Sequence, residues 1–350
     1  MMKKQRITDL PASAFPELIA ELGAPAYLAK ELKLWIYSKK VSSFEEMSNF
    51  PKAVREQLAE RFDIDCATVF AVQVSEDGTK KFLCALEDGK EVECVLIPAD
   101  KGRRTVCISS QVGCAMACDF CRTAKMGLKR HLILGEITSQ LRIAAREADT
   151  PITNVVFMGM GEPLHNLDAV VEATKLMYDQ DAFGLSKRKI TVSTSGLIPK
   201  MKEFVARSEV KLAISLSATT DEMRDKLMPV NKRYPLKDLM AFCRWYSDEY
   251  KHRLTFEYIL IEGVNDHKED AIRLVTLLEG VRAKVNLIPM NPYKEVAYYP
   301  TSRERMYWWQ NYLDSKGVST TIRISRGQDI LAACGQLARG EIKPALPKIA

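Results

Sequence analysis

Three closely spaced cysteines carry the clearest chemical pattern in this sequence of 350 residues. Cys114, Cys118 and Cys121 are separated by three and two residues, and Gly113 loosens the backbone just before them. Thiolates at this spacing can face one point from a single loop, as they do in zinc and iron–sulfur sites. A tetrahedral zinc site needs a fourth ligand, and the nearest histidine, His131, lies ten residues beyond Cys121. The pattern favours a four-iron cluster with one open iron, with zinc as the alternative.

A second group of candidate residues combines glycine, a carboxylate and small polar side chains. Gly161 and Glu162 follow Met158, and a ligand could approach this glycine backbone while the carboxylate pairs with an ammonium group. Other short polar segments could hydrogen-bond a ribose or a carboxylate, although each is also a common turn former. These segments contain Ser193, Ser215, Leu216, Ser217 and Asn291.

The other six of the nine cysteines divide by their surroundings. Cys107 precedes Cys114 by seven residues, and Cys334 is flanked by small residues that leave its sulfur reachable. These two thiols could form a redox pair, but their spacing does not show that they meet. Packing as small apolar residues is the simpler interpretation of Cys66, Cys84 and Cys243. The sequence leaves Cys94 open between packing and a chemical role.

Alternating strands and helices are predicted to position these residues. Strands of nearly continuous apolar residues that alternate with helices indicate parallel βα units in an α/β fold. Six units suit an incomplete (β/α)6 barrel, whose active site lies at the carboxyl ends of the strands. A last helix is predicted to begin with a capping box, Thr301 to Glu304, and a further strand to follow it at 320–324. The six strands are predicted at 105–109, 154–158, 189–193, 211–216, 254–261 and 284–288, and the helices between them near 135–148, 168–178, 198–207, 221–228, 236–250 and 267–279.

Two further parts precede the predicted barrel. Residues 1–65 are predicted to form a helical domain, because Leu28, Leu32 and Ile36 repeat at helical spacing. Basic side chains such as Lys30 and Lys33 form either a solvated face or an RNA contact. Residues 66–100 are predicted to form a β-meander linker, since Asp-Gly turns separate three β-rich runs. The predicted barrel then spans residues 101–325, and a C-terminal segment spans 326–350.

Composition sets the broad class of protein. Apolar content of 47% and charged content of 27% are ordinary for a globular chain. We expect no membrane partner, because the sequence starts without a secretory signal and lacks an apolar run of spanning length. An odd number of cysteines then favours reduced thiols and a cytoplasmic location. The net charge of +6 permits a polyanionic partner without requiring one.

Several short motifs occur together over most of the chain. The cysteine triplet has Phe120 before its last cysteine, which is typical of radical S-adenosylmethionine (SAM) enzymes. Together the motifs resemble the RlmN/Cfr family of radical SAM RNA methyltransferases, and residues 22–37 resemble its helical accessory domain. Ser217 departs from the family, which usually has histidine there. The other motifs are Cys107-Ile-Ser-Ser-Gln-Val-Gly-Cys114, Phe157-Met-Gly-Met-Gly-Glu-Pro-Leu164, Gly184-Leu-Ser-Lys-Arg188, Ser193-Thr-Ser-Gly196, Leu227-Met-Pro-Val-Asn231 and Ala333-Cys-Gly-Gln-Leu337.

The resemblance implies a specific set of cofactors and roles. A [4Fe-4S] cluster would be held by the cysteine triplet, and SAM would be bound by the glycine, carboxylate and polar segments named above. Cys334 would take a methyl group from one SAM, and a radical from a second SAM would abstract hydrogen from it, so that the carbon adds to adenine. Cys107 would then attack the sulfur of Cys334 and form a transient disulfide. Glu93 matches the position proposed to accept the adenine proton, or else it is a solvated strand glutamate.

The resemblance also implies the substrates and partners. RlmN-type members methylate C2 of an adenosine in the peptidyl-transferase centre of 23S rRNA and of adenosine 37 in some tRNAs. Gln111-Val-Gly113 favours this type over Cfr-type members, which methylate C8. A non-catalytic Fe–S or zinc RNA-binding protein would explain the cysteines and the charge, but not Glu162 or Cys334. An electron donor such as flavodoxin or ferredoxin and a monomeric state are expected.

Overall fold

The N-terminal part is helical, as the apolar spacing predicts. The structure is a computed structural model that describes residues 4–338, so residues 339–350 of the predicted C-terminal segment lie outside the described residues. Leu28, Leu32 and Ile36 are fully buried, which confirms the predicted apolar face. The helices are α1 (Phe15–Glu21), α2 (Leu28–Lys33), which continues into a π-helical turn (Leu34–Ser38), and α3 (Lys52–Arg61).

A single ten-stranded sheet forms the centre of the molecule. Its first three strands are the predicted meander, which is antiparallel: β1 (Ala67–Val74), β2 (Lys80–Leu86) and β3 (Glu91–Pro98). The parallel strands are β4 (Arg104–Cys107), β5 (Asn154–Phe157), β6 (Ile190–Thr194), β7 (Lys211–Ser215), β8 (Leu254–Leu260), β9 (Ala283–Pro289) and β10 (Ser319–Ile322). Because β3 pairs with β4, with Val95 opposite Cys107, the meander extends the barrel sheet.

The strand order follows the chain order, which is the arrangement of an open α/β barrel. β10 pairs in parallel with β9, so the last predicted strand adds a seventh parallel member to the six predicted units. The helices after β4 are α4 (Arg122–Lys125), α5 (Leu134–Arg146), α6 (Leu167–Tyr178), α7 (Ile198–Arg207), α8 (Asp221–Leu227), α9 (Leu236–Glu249), α10 (Lys268–Leu277) and α11 (Arg303–Ser315).

The predicted capping box of the last helix is wrong by one residue. Ser302, not Thr301, caps α11, and its hydroxyl accepts a hydrogen bond from the backbone N–H of Arg305. Thr301 instead donates to Asp266, a tertiary contact that the sequence pattern does not reveal. Within residues 4–338, no helix combines the length and apolar character needed to cross a lipid bilayer.

The N-terminal helices share one hydrophobic core with the barrel. Arg142 of α5 is fully buried, pairs with Asp65 at 2.7 Å and donates to the carbonyl of Val41 at 2.6 Å. Lys33 pairs with Asp179 at 2.6 Å, and Lys30 pairs with Asp181 at 3.1 Å. Two of the basic side chains considered for RNA contact are therefore engaged with the barrel.

Candidate active site

The cysteine loop leaves the sheet just after β4. A two-residue strand, Gln111–Val112, pairs with Arg130–His131 and closes the loop at its base. Gly113 has φ +76, and a Cβ atom there would collide with the carbonyl of Gly127, so only glycine fits. The three predicted cluster ligands all line one cleft at the carboxyl ends of the strands; they are Cys114, Cys118 and Cys121.

The arrangement of the three thiols fits an iron–sulfur cluster. All three belong to one short loop and line one cleft, which is the donor set that an iron–sulfur cluster requires. In a four-iron cluster each thiolate binds a different iron, so the ligands surround a larger object. Burial raises the pKa of all three thiols, to about 12 for Cys114. A bound cationic centre would offset that cost by holding them as thiolates.

The cleft also collects most of the predicted SAM-binding residues. The cleft encloses about 910 Å³ of space that is open to solvent. Gly161 has φ +102, and a Cβ atom there would collide with Gln111, which explains the glycine. The predicted residues that line the cleft are Gly161, Glu162, Ser193, Ser215 and Ser217.

Glu162 is held in a fixed orientation at the cleft wall. Its two carboxylate oxygens accept hydrogen bonds from the backbone N–H groups of Leu164, at 3.0 Å, and Ser195, at 2.7 Å. Burial raises the pKa of Glu162, and these hydrogen bonds oppose the shift. Ser195 also lines the cleft, and its side chain is one of the groups that lower the pKa of Glu162. Ser195 is therefore a further candidate contact for a polar ligand.

Two predicted SAM-binding side chains do not line this cleft. Leu216 is fully buried, and its backbone N–H donates to the carbonyl of Glu257 at 3.0 Å. Asn291 donates to the carbonyl of Cys334 at 3.0 Å and accepts from Gln328 at 2.9 Å. The amide of Asn291 therefore holds the C-terminal segment in this structure.

Ser217 lies in the cleft wall with the unusual left-handed φ of +50. Its backbone carbonyl accepts a hydrogen bond from Asn265 at 2.8 Å, which helps to hold that conformation. The Ser217 hydroxyl accepts a longer bond, of 3.4 Å, from the backbone N–H of Ile259. The short serine side chain thus stays against the wall of the cleft.

The fold brings Cys107 and Cys334 to the same place. Cys107 is buried at the end of β4, and Cys334 is half-buried in the loop after β10. Both line a second cleft, of about 850 Å³, and Cys334 also lines the cleft of the cysteine triplet. The loop is fixed in part by the backbone N–H of Arg122, which donates to the carbonyl of Gly335 at 2.8 Å. Cys334 thus lies between the two clefts. The remaining cysteines, Cys66, Cys84, Cys94 and Cys243, are buried and line neither cleft.

A positive charge faces the two thiols. Arg323, just after β10, lines both clefts, and the negative charge of a Cys334 thiolate is the largest cause that raises the pKa of Arg323. Burial raises the pKa of Cys107 to about 12, with a further increase from Cys334 and a decrease from Arg323. At neutral pH Cys107 is therefore a protonated thiol.

Glu93 lies away from both clefts. It is fully buried on β3, and its carboxylate is 3.2 Å from the ammonium group of Lys81. The backbone N–H of Ala338 donates to the other oxygen at 3.0 Å. Burial raises the pKa of Glu93, and Lys81 opposes that shift. The C-terminal segment thus covers Glu93, which is not a solvated strand glutamate.

Two charged residues that sequence reasoning missed support the site. Arg224 of α8 is fully buried and donates to the carbonyls of Ser195, at 2.7 Å, and Ser215, at 3.2 Å, so that it ties two strand ends together. Burial lowers the pKa of Arg224 to about 10. Glu257, on β8, lines the cleft and lies 3.8 Å from Arg323. A carboxylate inside a buried apolar strand is the sequence signal that could have identified Glu257.

Comparison with known proteins identifies the family. The Radical SAM superfamily model matches residues 108–275, and the Ribosomal RNA large subunit methyltransferase N-terminal domain model matches residues 6–64. The dual-specificity RNA methyltransferase RlmN of Syntrophotalea carbinolica is 50% identical over 321 residues, covering 92% of this chain and 86% of that protein. The corresponding protein of Alkalilimnicola ehrlichii is 45% identical over 335 residues, covering 95% and 93%. A radical SAM methyltransferase from Sphaerobacter thermophilus superposes with a TM-score of 0.90 at 41% identity, covering 95% of this chain and 99% of that chain. This chain therefore belongs to the RlmN family of radical SAM RNA methyltransferases, whose cofactors are a [4Fe-4S] cluster and SAM.

Proposed function

We propose that this enzyme methylates C2 of an adenosine in the peptidyl-transferase centre of 23S rRNA and of adenosine 37 in some tRNAs. The relatives named above are dual-specificity RNA methyltransferases, which supports two classes of RNA substrate. The observation that carries the proposal is the shared cleft of Cys107 and Cys334, adjoining the cleft of the cysteine triplet. C2 lies between two ring nitrogens and is electron-poor, so a methyl group cannot be transferred to it by simple displacement.

Cys334 is proposed to carry the methyl group. Its thiolate would displace the methyl of one SAM, and Arg323 lines the same two clefts as this thiol. When bound, the cluster and a second SAM supply the radical that activates the methyl group, which is the difficult part of the chemistry. Cys334 lines both clefts, so its methyl group can face the radical source on one side and the adenine on the other.

Cys107 is proposed to release the product. Its thiolate sulfur attacks the sulfur of Cys334, and a disulfide forms as the bond between that sulfur and the bridging methylene carbon breaks. The carbon keeps the electron pair of the broken bond and takes up a proton to become the methyl group. Cys107 must lose its proton in this step, because its pKa is about 12. Glu93 is proposed to accept the proton from C2, which requires the segment around Ala338 to move when RNA binds.

The remaining parts of the proposal concern partners and location. Residues 1–65 are proposed to bind RNA as an accessory domain, ahead of the segments 66–100, 101–325 and 326–350. Exposed basic side chains there, such as Lys52, would contact phosphates and make RNA binding salt-dependent. We propose a monomer in the cytoplasm, reduced by flavodoxin or ferredoxin.

The alanine variant of Cys107 tests the proposed roles. Cys107→Ala should still methylate Cys334 and add to adenine, and then stall as a stable protein–RNA adduct that nuclease removes. Cys334→Ala should form no adduct. Cys243→Ala is a matched control that should stay active, because Cys243 is buried and lines neither cleft. A Cys107→Ala protein with normal turnover and no adduct would refute the resolving role.

Nucleoside analysis of the modified RNA tests the target atom. Digestion of product RNA followed by chromatography and mass spectrometry should give 2-methyladenosine. The finding of 8-methyladenosine would instead place this protein with the Cfr-type members. RNA from cells that lack the gene should contain neither product.

A further inference from the structure

A basic cavity lies at the end of the barrel opposite to the cysteine loop. It encloses about 1450 Å³ of space that is open to solvent, and five of its six cations lie at or just before the amino-terminal ends of parallel strands, whereas Arg323 follows β10. Lys211 is the first residue of β7, Lys284 is the second of β9, and Arg103 comes directly before β4. The cations that line the cavity are Arg103, Arg188, Lys189, Lys211, Lys284 and Arg323.

The positive charge of this cavity is not balanced by the protein. Among the described residues, the cavity lining contains one carboxylate, that of Glu257, and this carboxylate lies 3.8 Å from the guanidinium group of Arg323. None of the other five cations has a carboxylate within 4.0 Å among residues 4–338. Burial lowers the pKa of Lys211, and four neighbouring cations lower it further: Lys189, Lys284, Arg103 and Arg188. The fold therefore holds these cations together against their mutual repulsion.

The uncharged lining residues add further hydrogen-bonding groups. Asn154, Thr191 and Thr255 lie among the cations and offer amide and hydroxyl donors. Several cations on one concave wall focus a positive potential, which a flat solvated face of lysines does not do. Phosphate oxygens are the acceptors that match arginine forks and lysine ammonium groups. We propose that this cavity is a binding site for phosphate groups.

The cavity adjoins the clefts that carry the thiols. Arg103, Met158 and Arg323 line both the basic cavity and the cleft of Cys107 and Cys334. The cavity therefore reaches from the amino-terminal ends of the strands to the cleft of Cys107 and Cys334. The source of a bound phosphate is either the backbone of the substrate RNA or a free polyphosphate, and the same side chains would recognise both.

Calorimetric titration of the iron-loaded protein with inorganic pyrophosphate tests the site. The wild type should show saturable binding, and Lys211→Gln/Lys284→Gln should bind at least about tenfold more weakly, because each lysine contributes a charge-assisted contact. A matched control is Lys237→Gln/Lys268→Gln, which removes the same charge from exposed positions on α9 and α10 and should bind as the wild type does. The cavity variant should unfold at a temperature no lower than the control, because it relieves the repulsion among neighbouring cations.

Two results would overturn the site. One is the absence of saturable pyrophosphate binding by the wild type, and the other is equal binding by the cavity and control variants. The pyrophosphate titration does not depend on the adenine chemistry proposed above. Cleavage of SAM without RNA should be the same in both variants, so loss of the phosphate site is distinguishable from failure of the reaction.

Binding of a tRNA anticodon stem-loop, measured by fluorescence anisotropy, identifies the source of the phosphate. If the RNA backbone occupies the cavity, the cavity variant should bind the stem-loop about tenfold more weakly than the control, and pyrophosphate should compete. If a free polyphosphate is the ligand, the cavity variant and the control variant should bind the stem-loop equally, and only the cavity variant should bind pyrophosphate more weakly.

Discussion

The buried pair of Glu93 and Lys81 gives the sharpest stability prediction. Both side chains are almost completely inaccessible to water, and 3.2 Å separates their charged atoms. Replacing Glu93 by glutamine keeps the acceptor for the N–H of Ala338 but removes the negative charge. Lys81 then keeps only a long contact, of 3.4 Å, with the carbonyl of Leu331. The variant is expected to bury an uncompensated ammonium group or to release its proton.

The size of the effect follows from the burial. Breaking a buried ion pair by removing one partner costs about 3 kcal/mol, mainly because the other charge stays buried. With about 2.1 cal/mol/K of unfolding entropy per residue, that cost corresponds to roughly 4 °C in the unfolding temperature of this chain. The double variant Lys81→Met/Glu93→Gln removes both charges. It should regain most of the lost free energy of unfolding, because no unpaired charge stays buried.

This double-mutant cycle is measured by thermal unfolding of four proteins: the wild type, Glu93→Gln, Lys81→Met and the double variant. A loss below about 1 kcal/mol in Glu93→Gln would show that the pair is not buried as described. A double variant less stable than both single variants would contradict the charge argument. The same double variant tests the proposed proton acceptor, because it is folded but lacks the carboxylate. Its rate of product release should fall by about 10²-fold or more if Glu93 accepts the C2 proton.

Two other predictions concern the thiols. Alanine at Cys114, Cys118 or Cys121 should abolish both iron binding and SAM cleavage after anaerobic reconstitution, whereas the control Cys243→Ala should retain about the iron content of the wild type. A wild-type protein that contains stoichiometric zinc and is fully active would contradict the cluster. In iron-free protein, iodoacetamide should label half-buried Cys334 before buried Cys107. Peptide mass spectrometry should show the rate of Cys107 alkylation rising about tenfold per pH unit from about pH 7 to 9, because the pKa of Cys107 is about 12. An alkylation rate of Cys107 that does not change with pH would contradict its protonated state.

Patterns that are local in the sequence predicted much of the fold. The β-meander strand at Lys80–Leu86 and the helix at Ile198–Arg207 lie where the sequence pattern predicts them. Hydrophobic periodicity and Asp-Gly turns act over a few residues, so they can be interpreted without knowledge of distant segments. Thr301 shows the limit, since its contact with Asp266 removes it from the predicted cap.

The candidate site divides in the same way. That Cys114, Cys118 and Cys121 line one cleft was predictable, because a single loop supplies all three thiols. The motif around Glu162 was predictable for a similar reason. Asn291 was predicted at the cofactor, but its amide holds the backbone of Cys334, a contact between segments far apart in sequence.

The sequence by itself determined the kinds of element, the thiols available for a cluster and the motifs of the family. Tertiary structure decided which distant residues come together: Cys107 and Cys334 in one cleft, and the cations at the strand starts with each other. The physical reason is that parallel strands align their ends at common edges of a sheet. Residues from separate βα units thereby become neighbours, and no local spacing in the chain records that proximity.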